Sequence, residues 1–374
     1  MKKNYVKLTK EIIQPYRNQG GFDLLGTGRD KIKTPEQFES CLKNANELNL
    51  TGLIIIGGDD SNTNACVLSE YFKENKCQCN VVGIPKTIDG DLKGNGIGIS
   101  FGHHSAARTY AELVGSLLTD NQSTKKYYSF VRLMGRDASH ITLEVALLSH
   151  PNVSFISEEV GKKNVSLITL VNVLSDVIIK RSEKGINYGL FLIPEGIVGF
   201  IPEMNNLIDE INTILSSDKK FEKYSKKDIH LLIEDVSIEL TENSKKLLNF
   251  LPEEIREQLF AERDSHGNVQ VSKIETERLF SKLVGNILEN DENFKGKFQS
   301  LTHFFGYEGR CCLPTNFDCD YCYNLGMTAG LILQEGKHSG VMAGVKNLTK
   351  SVDEWKTFGL PLTTLMTIEK RCKF

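Results

Sequence analysis

Leu53-Ile54-Ile55-Ile56-Gly57-Gly58-Asp59-Asp60-Ser61 decides the fold, and Val81-Val82-Gly83-Ile84-Pro85-Lys86-Thr87-Ile88-Asp89-Gly90-Asp91 repeats its plan. Each is an apolar run that ends in glycine or proline and then in acids. A Leu/Ile/Val run without polar alternation predicts a strand buried on both faces, as in a parallel sheet covered by helices. Ligands of open α/β sheets bind beyond the carboxyl ends of such strands, where Asp59, Asp60, Asp89 and Asp91 fall. Gly57 and Gly58 let the chain turn sharply and let an anion approach main-chain N–H groups. Four carboxylates at adjacent strand ends repel one another unless a divalent cation, a phosphoryl group or a basic side chain balances them. Mg²⁺ suits the position, since it takes one or two carboxylates plus substrate phosphates. Lys86 is one candidate counter-charge.

A chain of 374 residues that is 40% hydrophobic and 25% charged can bury a large core and form about two domains. Its net charge of −3 argues against a nucleic-acid binder. No apolar run approaches the roughly 18 residues of a membrane span, and Met1-Lys2-Lys3 leads into polar sequence, so no membrane role and a cytoplasmic location are expected. Nine cysteines are an odd number for a disulfide framework and point to reduced thiols.

Upstream, residues 20–31 form a glycine-rich loop carrying Arg29 and Lys31, readable as an ordinary turn or as an anion loop. Thr34-Pro35-Glu36 predicts a helix start, with Thr34 as N-cap. Downstream of the first strand, Ser61 is expected to cap a helix through about Glu74, whose N-terminus faces the anion. The apolar spacing of Ala106, Tyr110, Leu113, Val114 and Leu117 predicts a helix over 105–118. His103-His104 before it is open to metal ligation or to a loop or capping role, with the latter preferred.

Residues 127–133 read as a strand that turns through Met134-Gly135-Arg136 into a helix striped by Ala138, Ile141, Val145 and Leu148, an arrangement suited to an anion. Arg136 on its own reads more readily as a surface ion pair. A strand over 153–156, a helix striped by Leu167, Leu170, Val171, Leu174 and Ile178, and a strand over 190–193 follow. Glu195 sits at the last strand's end, where an acceptor-only carboxylate suits sugar hydroxyls and rejects phosphate. Between Gly199 and Phe294 the alternating charges predict solvated helices, with one amphipathic helix carrying Leu279, Leu283 and Ile287. The sheet resumes over 298–305. Cys311, Cys312, Cys319 and Cys322 then read as zinc ligands or as thiols buried by a helix over 321–334, the second being favoured because only the last pair has ligand spacing. A last strand is expected over 339–345, and a surface tail from residue 355.

Gly57-Gly58-Asp59-Asp60-Ser61, Pro85 to Asp91, Met134-Gly135-Arg136 and Pro194-Glu195-Gly196, in this order, resemble 6-phosphofructokinases, and Asp60 with Lys86 resembles their long pyrophosphate-dependent branch. The resemblance implies an α/β fold of two doubly wound, Rossmann-like parallel-sheet domains. Residues 1–133 are then a phosphoryl-donor domain, 134–206 with 296–350 a sugar-phosphate domain, 207–295 a helical insertion and 351–374 a tail. It implies reversible phosphoryl transfer from pyrophosphate to O1 of fructose 6-phosphate in glycolysis, with Mg²⁺, by a homo-oligomer (dimer or tetramer).

Carried onto matching positions, Asp89 is the base, with Lys86 and Arg136 as catalytic cations. Gly57, Gly58, Asp60, Ser61 and Arg29 bind the donor, and Asp59 binds the metal. Thr87, Asp91, Met134, Gly135, Arg136, Glu195, Tyr307 and Arg310 bind the sugar phosphate. Similar enzymes open with a strand and a Gly-Gly-x-x-Pro-Gly loop, whereas residues 1–19 hold no glycine and only Pro15. A truncated or split member, weak in pyrophosphate binding and turnover by itself, is therefore expected. A non-catalytic regulatory subunit and an ATP-dependent enzyme are the alternatives.

Overall fold

The computed structural model describes residues 5–28, 31–92, 94, 96–136, 138–217, 221, 224, 228–261 and 269–366. The chain forms two units, one running through residue 106 and resuming at 307, the other covering 107–306.

In the first unit β1 (Gly52–Gly57) and β2 (Asn80–Thr87) lie parallel, with Leu53 opposite Val81 and Gly57 opposite Pro85. On the other side of β2, β8 (Val341–Lys346) adds in parallel, and the two-residue β3 (Phe101–Gly102) pairs with the end of β2. Helix α3 (Pro35–Glu47) starts as Thr34 predicts. The Thr34 hydroxyl accepts the Gln37 N–H, and the Gln37 side chain accepts the Thr34 N–H, a capping box whose cap is worth about 1 kcal/mol. Helix α4 (Asp59–Glu74) lays Ala65, Leu68 and Phe72 on Val81 and Met342. On the opposite face α15 (Asn316–Glu335) lays Tyr321, Leu325 and Ala329 on Val82, Ile84, Ala343 and Val345. Each large side chain so buried contributes about 1.5–3 kcal/mol. Helices on both faces of a mostly parallel sheet make the unit doubly wound. The short helices α1 (Lys10–Ile13) and α2 (Phe22–Leu25) bury no residue, and α14 (Tyr307–Arg310) precedes α15.

Two expectations are corrected here. β1 is not buried on both faces: Ile54 and Ile56 remain 37% and 43% exposed. The reason is that β1 is the end strand of the sheet, and α15 packs over β2, β8 and β9 (Lys356–Pro361). The presumed surface tail is instead structural over its described part. β9 runs antiparallel to β8, and the turn Leu362–Leu365 sinks Leu362 into the core at 2% exposed.

In the second unit β5 (Val153–Ser154), β6 (Gly189–Pro194), β4 (Tyr128–Leu133) and β7 (Ser300–Phe305) form one parallel sheet in that order. Every residue of β4 and β6 is buried, which explains their unbroken apolar character. Helix α5 (His103–Thr124) is longer than predicted and continues from the first unit; its Asn121 donates to Ser129 Oγ and Gly189 O, both at 2.9 Å. Helices α6 (His140–Ser149), α7 (Ser157–Lys162) and α8 (Leu167–Ser182) follow, and the predicted α8 stripe is buried throughout.

The insertion folds as α9 (Pro202–Ser217), α10 (Ile229–Glu239), α11 (Glu242–Phe250), α12 (Glu253–Ala261) and α13 (Thr276–Asn290). Val236, Leu248, Ile255, Leu259, Leu279, Phe280 and Val284 from these helices join the sheet's own core cluster. The alternating charges described only the outer faces; the inner faces are core. The unit division also differs from the expected one. β4 hydrogen-bonds to β6 and β7, which places residues 128–133 in the second unit, while α15 and β8 complete the first.

Candidate active site

In the first unit the strand ends are shaped by close backbone contacts. A Cβ on Gly57 would lie 2.3 Å from the Ser61 side chain, and one on Gly83 would lie 2.3 Å from Asn62 Oδ1. Buried Asn62 is why: its amide donates to Gly57 O (2.8 Å) and Gly58 O (2.9 Å), tying the turn to α4. Gly58 is the N-cap, so Ser61 is an internal residue of α4 and not its cap, a correction. Asp59 and Asp60 occupy the first helical turn instead, where the positive end of the helix favours a carboxylate. Both are exposed, and Asp60 pairs with Lys31 Nζ at 2.7 Å. Lys31 is thus a counter-charge the structure shows for Asp60. Lys86 Nζ lies 5.6 Å from the centre of the Phe22 ring.

The Thr87-Ile88-Asp89-Gly90-Asp91 turn is held by its own side chains. The Asp89 N–H donates to Thr87 Oγ1 (3.1 Å), the Leu92 N–H to Asp91 Oδ1 (3.1 Å), and Gly90 takes φ +71°. His103 Nδ1 hydrogen-bonds Ile88 O at 2.8 Å and His104 Nδ1 bonds Thr315 Oγ1 at 2.9 Å. The histidines open α5 and secure loops. Asp318, which sequence reasoning missed, is 2% exposed and accepts from Gly102 N (3.0 Å), Ser105 N (2.9 Å) and Ser105 Oγ (2.5 Å). It locks the starts of α5 and α15 together. Tyr307 and Arg310 fall on α14, with the guanidinium 5.8 Å from the Tyr307 ring centre. Arg29 lies outside the described residues. On α15 burial pushes the Cys322 thiol up to about 12.

In the second unit the ends of β4 and β6 lie side by side, Leu133 opposite Pro194. The Glu195 N–H donates to Leu133 O (3.0 Å), the Gly196 N–H to Gly135 O (3.2 Å), and the Gly135 N–H to Glu195 Oε2 (3.2 Å). Gly135 has φ +130° and a virtual Cβ 2.6 Å from Ala138 O; a Cβ on Gly196 would lie 1.8 Å from Arg136 O. Both positions therefore exclude any side chain. Glu195 is 6% exposed, and Arg136 is exposed. Beneath the loop, Glu158 Oε1 accepts the Ser139 N–H at 2.9 Å and Ser139 Oγ accepts the Ser157 N–H at 2.9 Å.

The structure thus joins Gly57, Gly58, Asp59, Asp60 and Ser61 in one turn, Lys86, Thr87, Asp89 and Asp91 in the next, and Met134, Gly135, Arg136 and Glu195 in a paired loop of the second unit. Among the described residues the one group of three ligand atoms close enough for a metal ion is His230, Glu253 and Glu257, on α10 and α12. No helix among them is long and apolar enough to cross a membrane.

The family profile described as phosphofructokinase matches residues 1–333. Pyrophosphate–fructose 6-phosphate 1-phosphotransferase subunit beta 1 of Arabidopsis thaliana is 51% identical over 376 residues, covering 99% of this chain and 64% of the relative. The Porphyromonas gingivalis pyrophosphate–fructose 6-phosphate 1-phosphotransferase is 47% identical over 371 residues, covering 98% of this chain and 67% of the relative. The chain thus spans about two thirds of the length of these relatives. Among solved structures, a pyrophosphate-dependent phosphofructokinase from Nitrosospira multiformis superposes with TM-score 0.60 at 16% identity, over 97% of this chain and 71% of that one. Phosphofructokinase from Saccharomyces cerevisiae gives 0.55 at 15% identity, over 91% and 36%. These likenesses show the fold.

Proposed function

The chain belongs to the phosphofructokinase family, and from that premise we propose that it transfers a phosphoryl group from pyrophosphate to O1 of fructose 6-phosphate, reversibly, in glycolysis. The observation that carries this reading is the set of paired strand ends. Two acid-bearing turns close one parallel sheet, and a loop offering Arg136 and Glu195 closes the other. The relatives named for this reaction match along nearly the whole chain.

In this mechanism the turn N–H groups at Gly57 and Gly58 and the start of α4 receive pyrophosphate, with Arg29 and Lys86 lending positive charge. Asp89 takes the proton from the sugar O1 hydroxyl as the oxygen attacks phosphorus and the bridging P–O bond breaks, releasing orthophosphate. The hydrogen bond from the Asp89 N–H to Thr87 Oγ1 holds the backbone that carries that carboxylate. Asp91 and Thr87 orient the hydroxyl, Arg136 stabilises charge on the transferring group, and Met134, Gly135, Glu195, Tyr307 and Arg310 receive the sugar phosphate. The exposed Asp59 carboxylate at a strand end fits Mg²⁺, which needs only one or two protein oxygens and completes its shell with phosphate and water. When bound, Mg²⁺ supplies neutralisation of pyrophosphate charge.

The chain acts as a homo-oligomer in the cytoplasm on this reading. The apolar outer face of α6, with Leu143, Leu147 and Leu148 at 44%, 63% and 39% exposed, supports association.

The test is turnover of the purified chain with pyrophosphate and with ATP in parallel, followed by Asp89→Asn. Fructose 1,6-bisphosphate formed from pyrophosphate, with kcat falling about 10²–10⁴-fold in the variant, is the expected result. No product from either donor, or a variant with normal kcat, overturns the reading.

A further inference from the structure

β4 carries one charged residue into the core. Arg132 is 5% exposed and stands on the same face of the strand as Tyr128 and Phe130, where the neighbours are apolar. Its Nε lies 2.8 Å from Glu277 Oε2 on α13, and Glu277 is itself 3% exposed. Its NH1 group donates to Ser272 O (3.1 Å) and Ile274 O (3.0 Å), in the turn that leads into α13. The guanidinium carbon sits 4.0 Å from the centre of the Phe304 ring, and Phe304 is the residue opposite Arg132 in the β4–β7 register. One guanidinium thus binds the insertion, the preceding turn and the adjacent strand. Only Leu133 separates it from Met134-Gly135-Arg136.

We propose that Arg132, clamped by Glu277, is a positioning residue for the Met134-Gly135-Arg136 loop, so that α13 of the helical insertion holds the sugar-phosphate half of the reaction in place. The inference rests on the function proposed above and assigns the insertion a part in it. Stability alone does not account for the pair. Burying two charges gains little over well-packed apolar side chains of the same volume, and burial pushes the Glu277 carboxyl up against the opposing pull of Arg132. What the two guanidinium hydrogen bonds to Ser272 O and Ile274 O add beside the ion pair is direction: β4 cannot slide or rotate at its end without breaking them and parting the two charges at once. The loop needs that restraint. Gly135 holds φ +130° and the Gly196 backbone crosses Arg136 with no room for a methyl group, so a small shift of the β4 end misplaces the Arg136 guanidinium.

The test compares the 374-residue chain with its Glu277→Gln variant, which keeps shape and removes charge. Two quantities are read: hydrogen exchange at the Gly135 amide, which donates to Glu195, and the KM values for both substrates. Release of the loop makes Gly135 exchange about 10-fold faster or more, while the amides of Val82 and Ile84 in the first unit are unchanged. KM for fructose 6-phosphate then rises about 10-fold or more, with KM for pyrophosphate within about 2-fold. A merely structural pair would lower the melting temperature and leave Gly135 protection and both KM values at wild-type levels, which overturns the proposal. An Arg132→Met/Glu277→Met double variant guards against misfolding. It is expected to recover the melting temperature but not Gly135 protection, and recovery of both also overturns the proposal. Gly135 exchange is read without turnover, so an inactive chain defeats the phosphotransfer reading while this one is still decided.

Discussion

Gly196→Ala tests the paired loops most directly. Gly196 sits at φ −84°, ψ 0°, which alanine adopts freely, so the cost of a methyl group is steric. That methyl carbon would lie 1.8 Å from the Arg136 carbonyl oxygen, 2.7 Å from its carbonyl carbon and 3.2 Å from its Cα, all backbone atoms with no rotamer to escape into. Cβ atoms do not approach a heavy atom closer than 3.0 Å, so the loops must part by about 1.2 Å. The Gly196 N–H to Gly135 O bond at 3.2 Å is the first casualty. Overpacking costs about 1–3 kcal/mol and the hydrogen bond about 1, for a loss of roughly 2–4 kcal/mol in urea unfolding. A displacement near 1 Å at a charge-stabilising residue costs about 10²-fold in kcat/KM, equivalent to about 2.7 kcal/mol of barrier. Steady-state kinetics with pyrophosphate and fructose 6-phosphate read that loss. Gly199→Ala is the control, because nothing lies within 4 Å of a Cβ built there. If Gly196→Ala retained wild-type kcat/KM and stability, the paired loops would not control activity.

Asp60→Gly removes the Lys31 partner and a carboxylate from the proposed donor site. ATP turnover is expected to rise relative to pyrophosphate turnover, since like charges about 4 Å apart repel by several kcal/mol at an effective dielectric near 20; an unchanged donor ratio in parallel assays refutes it. For Glu158, burial pushes the carboxyl up, but hydrogen bonds from the Ser139 and Glu158 N–H groups outweigh it and hold the group below the usual carboxylate range. Its stabilisation is present above the unfolded value of about 4.3 and is lost as pH falls through the lower folded value, so Glu158→Gln is less stable at neutral pH and declines less on acidification. Urea midpoints across pH 3 to 7 check this, and parallel curves refute it. Burial pushes Cys322 up to about 12 and Cys79 to about 11, leaving almost no thiolate at pH 8. Among the cysteines of the described residues, alkylation of the native protein is expected at exposed Cys311 first, and mass mapping that finds Cys322 modified before it contradicts the burial.

Local chemistry made much of this protein legible before folding. Thr34 and Pro35 start α3 because a hydroxyl and a fixed φ act within one turn, and the α8 stripe emerges because helical spacing repeats every few residues. The strand runs at 81–84 and 190–193 announce parallel sheets because burial on both faces leaves no polar alternation. The glycine and acid turns at their ends announce where the proposed anion site lies.

What only the tertiary structure decided depends on residues far apart in the chain. Ile54 and Ile56 are as apolar as their neighbours, yet their exposure follows from β1 standing at the end of its sheet. The membership of β9 and the burial of Leu362 follow from pairing with β8. Lys31 finds Asp60, Asp318 finds Ser105 and Arg132 finds Glu277 through contacts of 29 to 213 residues' separation. Charge alternation in the insertion reported the side of each helix that meets water, while Leu279, Phe280 and Val284 reported their partners only once packed. Periodicity and turn chemistry are local properties that a sequence carries outright. Which polar groups are satisfied, and by whom, is a property of contact, and contact exists only in the folded chain.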